Sequence, residues 1–208
     1  MDHVVKPGET LSDICKRYNV NVEEVLQLNR HIKEPDKLRQ GQVVTLPPPT
    51  VIVEPEIQRL VPAGARVVAV REVAFTRRRP RERLLIVILR DGINCVIVLR
   101  FIAGIGWRII FQRCDFDRPI RILETGTLLE AELEQAVIGA ITGVNNDLSF
   151  SVLGSRNDDE IEVLLDRMHE TIPQGTVNIH EGRLEVSSPT QIRRFTWDGG
   201  RFVETIHR

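Results

Sequence analysis

The chain is short of cysteine, of aromatic residues, of long apolar runs and of any excess of one charge. Its three cysteines, Cys15, Cys95 and Cys114, lie far apart with no CxxC spacing. An odd, scattered set is a poor disulfide framework and a poor zinc site. Each is expected to be a free thiol packed as a small hydrophobe, with a reducing compartment as its companion during synthesis. The 28 lysines and arginines are matched by 29 acidic residues, for a formal net charge of −1. The basic excess usual in nucleic-acid binders is missing, so no such partner is expected. The longest apolar runs, Leu84–Leu89 and Cys95–Leu99, fall far below the roughly 20 residues of a membrane span. Lys6, Glu9, Asp13, Lys16 and Arg17 interrupt the stretch where an export signal needs about 7–15 apolar residues. A soluble protein made in the cytoplasm, without an ordinary signal peptide, is the expectation.

What is present is enough for a buried core: 42% hydrophobic and 27% charged residues, inside the globular range. Pro47-Pro48-Pro49, with Pro55 beyond, marks a boundary, since consecutive prolines favour a stiff extended path. The expected layout is residues 1–47, a proline-rich linker 48–56, and a second domain 57–208. In the first part, His3–Lys6 reads as a strand closed by Pro7-Gly8. Thr10 and Asp13 resemble a capping box. Leu11, Ile14, Cys15 and Tyr18 then make one apolar helical face, and Asn19 ends that helix. Asn21 starts a second helix, with Glu24 three residues on and Val22, Val25 and Leu26 on one side. After Asn29 the chain turns through Pro35, bends at Gly41 and ends in a strand, Val43–Leu46. The order is strand, helix, helix, strand.

Three segments then carry a family likeness. Val5-Lys6-Pro7-Gly8-Glu9-Thr10-Leu11-Ser12-Asp13-Ile14, with Tyr18-Asn19-Val20 after it, is the first. Val25-Leu26-Gln27-Leu28-Asn29 and Leu38-Arg39-Gln40-Gly41-Gln42-Val43-Val44-Thr45-Leu46-Pro47 are the others. Together they resemble the LysM family over residues 3–47, although the family's commonest residue at position 9 is Asp rather than Glu. The resemblance implies a shallow groove for N-acetylglucosamine units of peptidoglycan or chitin. Carried onto this chain, its walls are Gly8, Glu9, Thr10 and Leu11 on one side and Asn29, Arg30, His31 and Ile32 on the other. Gly8 would let backbone approach closely. The amides of Thr10 and Leu11, at a helix start, would donate, and Leu11 and Ile32 would meet the acetyl methyl. Each of Thr10, Leu11 and Asn29 also has a plain structural role open to it, as cap, core or helix end.

From residue 57 on, β patterns dominate. Val67–Val70 precedes a hairpin of Leu84–Arg90 and Ile93–Arg100 about Asp91-Gly92. Trp107–Gln112 follows. Thr176–Ile179 pairs with Leu184–Val186 about His180-Glu181-Gly182, and Ile192–Trp197 with Phe202–Thr205 about Asp198-Gly199-Gly200. Thr127–Ile141 suits either a helix capped by Thr127 and Glu130 or, in its second half, a strand Gln135–Thr142 returning through Gly143–Asp147 into Leu148–Leu153. The ending Phe195–Phe202 resembles FG-GAP/VCBS β repeats, but the calcium-binding Asp-rich loop of that class has no counterpart in Leu128–Gln135. A closed propeller needs about four or more blades, so a sandwich, or one or two blade-like sheets, is expected. The overall class is α+β: a βααβ domain followed by a mainly antiparallel all-β domain.

No catalytic motif stands out. Cys95 lies in an apolar strand, Cys114 lacks a peptidase context, and no HExxH or dense zinc spacing occurs. His169 and His180 each precede a Glu, a chance pairing. No metal, cofactor or catalytic residue is expected. The basic run Arg77-Arg78-Arg79-Pro80-Arg81 suits an anionic polymer or, more simply, a solvated loop. The expected function is non-catalytic glycan binding that tethers a β-rich assembly domain to cell wall or spore envelope. Residues 57–208 would meet a protein partner or a second copy. A wall hydrolase, and a LysM fold used only for protein contacts, are the alternatives.

Overall fold

The computed structural model describes residues 2–18, 20–129, 132–143 and 145–207; the helix end at Asn19 and the cap residue Glu130 lie outside these. Two compact units divide between Thr50 and Val51. In the first, β1 (Asp2–Val4), α1 (Leu11–Tyr18), α2 (Val22–Leu28) and β2 (Val43–Thr45) follow in order. β1 and β2 pair antiparallel with His3 opposite Val44. Thr10 caps α1 reciprocally: Asp13 N donates to its Oγ1 at 3.2 Å, and Thr10 N donates to Asp13 Oδ2 at 3.1 Å. Asn21 caps α2 by accepting from Glu23 N at 2.7 Å. Leu11, Ile14, Cys15, Val25, Ile32, Val44 and Leu46 close one core. Val22 is not part of it, being 37% exposed at the first turn of α2.

The stretch expected as a spacer over 48–56 is not of one kind. Val51 N donates to Val67 O at 2.7 Å. Val51 and Val53 pack on the same cluster as Ile57 of α3 (Pro55–Gln58). Alternating apolar residues here cover a sheet face, which holds the chain against the second unit from Val51 onward.

That unit consists of three antiparallel four-stranded sheets, each with its strands in sequence order. The first holds β3 (Arg66–Val73), β4 (Glu82–Ile88), β5 (Asn94–Ile102) and β6 (Gly106–Phe116). The second holds β7 (Arg121–Gly126), β8 (Gln135–Thr142), β9 (Asp147–Gly154) and β10 (Glu162–Ile172). The third holds β11 (Thr176–His180), β12 (Arg183–Ser187), β13 (Ile192–Trp197) and β14 (Phe202–His207). The expectation of a sandwich, or of one or two blade-like sheets, is therefore corrected to three successive meanders. Burial explains the number. Ala136, Ile138 and Ala140 of β8 face the first sheet, where they meet Leu84, Ile86, Val96 and Val98. Val137, with Phe150 and Val152 of β9, faces the third, where they meet Leu184, Val186 and Phe195. A strand buried on both faces reads as a near-continuous apolar run and needs a layer on each side. The third sheet has one dry face only, and β12 alternates buried Leu184 and Val186 with more open neighbours.

Among the described residues of 127–141 only the second half is regular, as β8; Leu128 and Leu133 are buried from irregular chain. The cysteines need a larger correction. Cys95 and Cys114 form a disulfide, and Cys15 alone is free. The β5–β6 register shifts between Asn94 and Val96, and at that irregularity the two cysteines oppose one another. Thiol titration of the denatured, unreduced chain should find one reactive group, and three after reduction. Three before reduction would contradict the bridge. Replacing both partners by Ser should cost the second unit about 2–4 kcal/mol by urea melts.

Candidate functional site

The two loops named from sequence meet in the first unit. Leu11 N, at the start of α1, donates to Pro35 O at 3.1 Å, tying the β1–α1 loop to the α2–β2 loop. Gly8 takes a left-handed turn at φ 74°, a conformation that side chains resist. The turn lets Glu9 N reach Lys6 O at 3.2 Å. Glu9 then folds inward. Its Oε2 accepts from Lys6 N at 3.0 Å and lies 2.7 Å from His3 Nε2, while Arg17 pairs with its other oxygen. The Glu9 carboxylate is an acceptor, so Nε2 carries the His3 proton. In the neutral ring Nδ1 then accepts from the Tyr18 hydroxyl at 3.1 Å. The Lys6 amide first, then His3 and Arg17, hold the Glu9 carboxyl down from its usual 4.5 to about 2.

Asn29 is buried and binds the end of α2 to β2. Its Nδ2 donates to Val25 O at 2.6 Å and Thr45 O at 2.7 Å, and its Oδ1 accepts from Thr45 N at 2.9 Å. Ile32 N donates to Asn29 O at 2.8 Å and its side chain enters the core. Between them, Arg30 and His31 are exposed.

The proposed roles need revision at several positions. Thr10 N and Leu11 N are not free donors, because Asp13 and Pro35 accept from them. Leu11 is fully buried and Ile32 is 8% exposed, so both serve the core first. Glu9 and Asn29 side chains are consumed in holding the loops. Gly8, Arg30 and His31 are the exposed members of the set. A depression of about 760 Å³ lies beside them, shared with the set only through His31 and Ile32 and otherwise lined by 33–34 and 37–42. Pro35 was missed by sequence reasoning, since its role is a backbone carbonyl and carries no side-chain signal.

A family model for the LysM domain matches residues 3–47. Residues 3–47 are a LysM domain. The LysM family generally binds peptidoglycan and related N-acetylglucosamine polymers. The chain is 43% identical over 44 residues to an endolysin of Bacillus phage B103, covering 21% of this chain and 17% of that one. It is 31% identical over 82 residues to SpoIVD-associated factor A of Bacillus subtilis (strain 168), covering 38% of this chain and 20% of that one. The chain thus spans a fifth or less of the length of these curated relatives. No solved structure matches it.

Outside the LysM domain, Arg77–Arg81 links β3 to β4. Arg77 N donates to Asp158 Oδ1 at 2.6 Å, and Arg78 pairs with Asp159 at 2.9 Å. Beneath them Arg100 joins buried Glu82 at 3.1 Å and Asp159 at 3.0 Å. Much of the basic run is therefore neutralised by the β9–β10 loop. The disulfide also removes Cys95 and Cys114 as thiolate nucleophiles.

Two outcomes follow for the LysM domain. Glu9 has a depressed value, so its contribution to stability is full above about pH 4.5 and is lost as pH falls toward about 2. Melting of the first unit should weaken through that window, and Glu9→Gln should flatten the dependence. Asn29→Ala should cost about 2–4 kcal/mol in denaturant melts, because Thr45 N and two carbonyls lose a buried partner. A loss under about 0.5 kcal/mol would contradict the clamp.

Proposed function

We propose that the LysM domain binds N-acetylglucosamine-containing glycan without cleaving it, and that residues 51–208 act as an assembly domain held there. The observation that carries this reading is the family match over residues 3–47, on a βααβ unit whose two groove loops are joined by the Leu11–Pro35 hydrogen bond. With Leu11 and Ile32 in the core, contact falls to Gly8, Arg30 and His31 and to the backbone around them. Gly8 leaves room for close approach: a Cβ built there would meet nothing within 4 Å. Arg30 and His31 supply donors for sugar hydroxyl and amide oxygens. A groove this open buries few ligand atoms, so a short oligomer should bind in the range of roughly millimolar to tens of micromolar. Retention on a polymer would then come from repeated sites, which raise avidity by about 10²–10⁴.

The relatives favour a wall or spore-envelope setting: one is a phage endolysin, the other is named for association with SpoIVD. The endolysin likeness also supports a hydrolase as the second reading. It rests on 44 residues, a length close to the LysM domain's own and 17% of that protein.

Calorimetric titration of the full chain with N-acetylglucosamine oligomers should show heat that grows with oligomer length. Arg30→Ala/His31→Ala should weaken it by roughly 3–10-fold, with the melting curve unchanged. No heat at millimolar ligand would sink the carbohydrate reading. Release of reducing ends from purified sacculi would replace it with the hydrolase.

A further inference from the structure

Alternate connections of a meander share an end. Contacts of the β9–β10 loop with the β3–β4 loop (Arg77 to Asp158) and with the β13–β14 loop (Arg156 to Gly200) put the β3–β4, β5–β6, β7–β8, β9–β10, β11–β12 and β13–β14 connections at one end of the second unit. Most are polar, as turn residues usually are. The β5–β6 hairpin differs. From Phe101 to Trp107 it reads Phe-Ile-Ala-Gly-Ile-Gly-Trp, bounded by Arg100 and Arg108, with no charge between them. Phe101 is 39% exposed, Ile102 38% and Ile105 57%.

The tip is built rather than loose. Ile105 N donates to Ile102 O at 3.0 Å, and Gly104 and Gly106 take positive φ of 76° and 94°. Phe101 and Trp107 are opposite each other in the ladder and stack edge to face at 5.7 Å. At its base Arg100 is buried against Glu82 and Asp159. β4 pairs with β5 only as far as Arg83↔Leu99, whereas β5 and β6 stay paired through Ile102↔Gly106. Beyond buried Arg100 the strand projects by Phe101 and Ile102, or roughly 7 Å at about 3.3 Å each.

We propose that this hairpin tip inserts into the interface of an anionic lipid bilayer, with the protein held peripherally. Three observations choose the occupant. Successive residues of a strand point to opposite faces, so the exposure of both Phe101 and Ile102 makes the knob apolar all round. A second copy packed face to face would cover one side only. Pairing along the β6 edge is opposed by the register shifts between Asn94 and Val96 and between Val98 and Leu99, since bulged edges resist strand addition. The projection matches the roughly 5–10 Å depth at which interfacial apolar groups sit. Trp107, half-buried at the base of the tip against the Leu85 and Leu99 cluster with Arg83 5.5 Å over its ring, anchors the knob and reports on its surroundings. Arg108 beside it and Arg79 in the neighbouring loop are exposed, bond only backbone carbonyls among the described residues, and would meet lipid phosphate.

The test is co-sedimentation of the full chain with phosphatidylcholine vesicles, with and without about a third phosphatidylglycerol. Trp107 emission is followed in a Trp197→Phe background. The chain should pellet with the anionic vesicles, less so at high salt, with a blue shift of Trp107. Ile102→Asp/Ile105→Asp alters only exposed positions and should keep the melting curve while losing roughly tenfold or more of the binding. A chain that stays in the supernatant with both vesicles overturns the proposal, as does equal binding by the variant. A lipid-free dimer in light scattering that the variant dissolves also overturns it, assigning the tip to self-association. None of these outcomes depends on the glycan reading.

Discussion

The β8–β9 pair is buried on both faces, with β8 apolar on each, and the second unit is arranged around that constraint. A two-faced sheet at the centre leaves water no permitted side. The first sheet covers one face through Leu84, Ile86, Val96 and Val98, and the third covers the other through Leu184, Val186 and Phe195. The first sheet is in turn apolar on its outer side at Leu85, Val87, Ile97 and Leu99. Val51, Val53 and Ile57 supply the layer that side needs. The third sheet ends the series because its outer side is polar. Charged residues at the seams are paired across sheets: Arg113 with Asp166 at 2.8 Å, and Arg193 with Glu170 at 2.6 Å.

The LysM domain solves the same problem at a smaller scale and with different means. A unit of about 50 residues is near the lower limit for an unassisted core, so its loops are held by polar contacts as well as by burial. Asn29 satisfies three backbone groups at once, and Glu9 gathers an amide, His3 and Arg17. The consequence for function is direct. Side chains that fix the loops are not available to a ligand, so in the proposed binding mode contact passes to exposed residues and to backbone between them.

Much of this was legible from local signals. Thr10 with Asp13, Asn21 before α2, and the Asp91-Gly92 turn act within a few residues of themselves, and each formed as its chemistry dictates. What could not be read depends on distant partners. β7 and β10 escaped notice because their many charged residues mask the period-two pattern; Arg113, Glu204 and Arg193 neutralise those of β10 from other strands. The Cys95–Cys114 bridge depends on a register shift in β5–β6, which no spacing rule reveals. In the LysM domain, the two loops named by the family motif are joined by the Leu11–Pro35 hydrogen bond. The motif could not say that Leu11 and Ile32 turn inward, because that follows from how α1, α2 and β2 close their common core.

The central claim is that a self-contained LysM domain presents glycan to the seam between its β1–α1 and α2–β2 loops. Amide chemical-shift mapping of the full chain during titration with an N-acetylglucosamine oligomer tests it most directly. The account predicts perturbations centred on Gly8, Arg30 and His31 and the amides beside them, with the second unit unmoved. Shifts centred instead on 37–42, or spread over β3–β14, would contradict it.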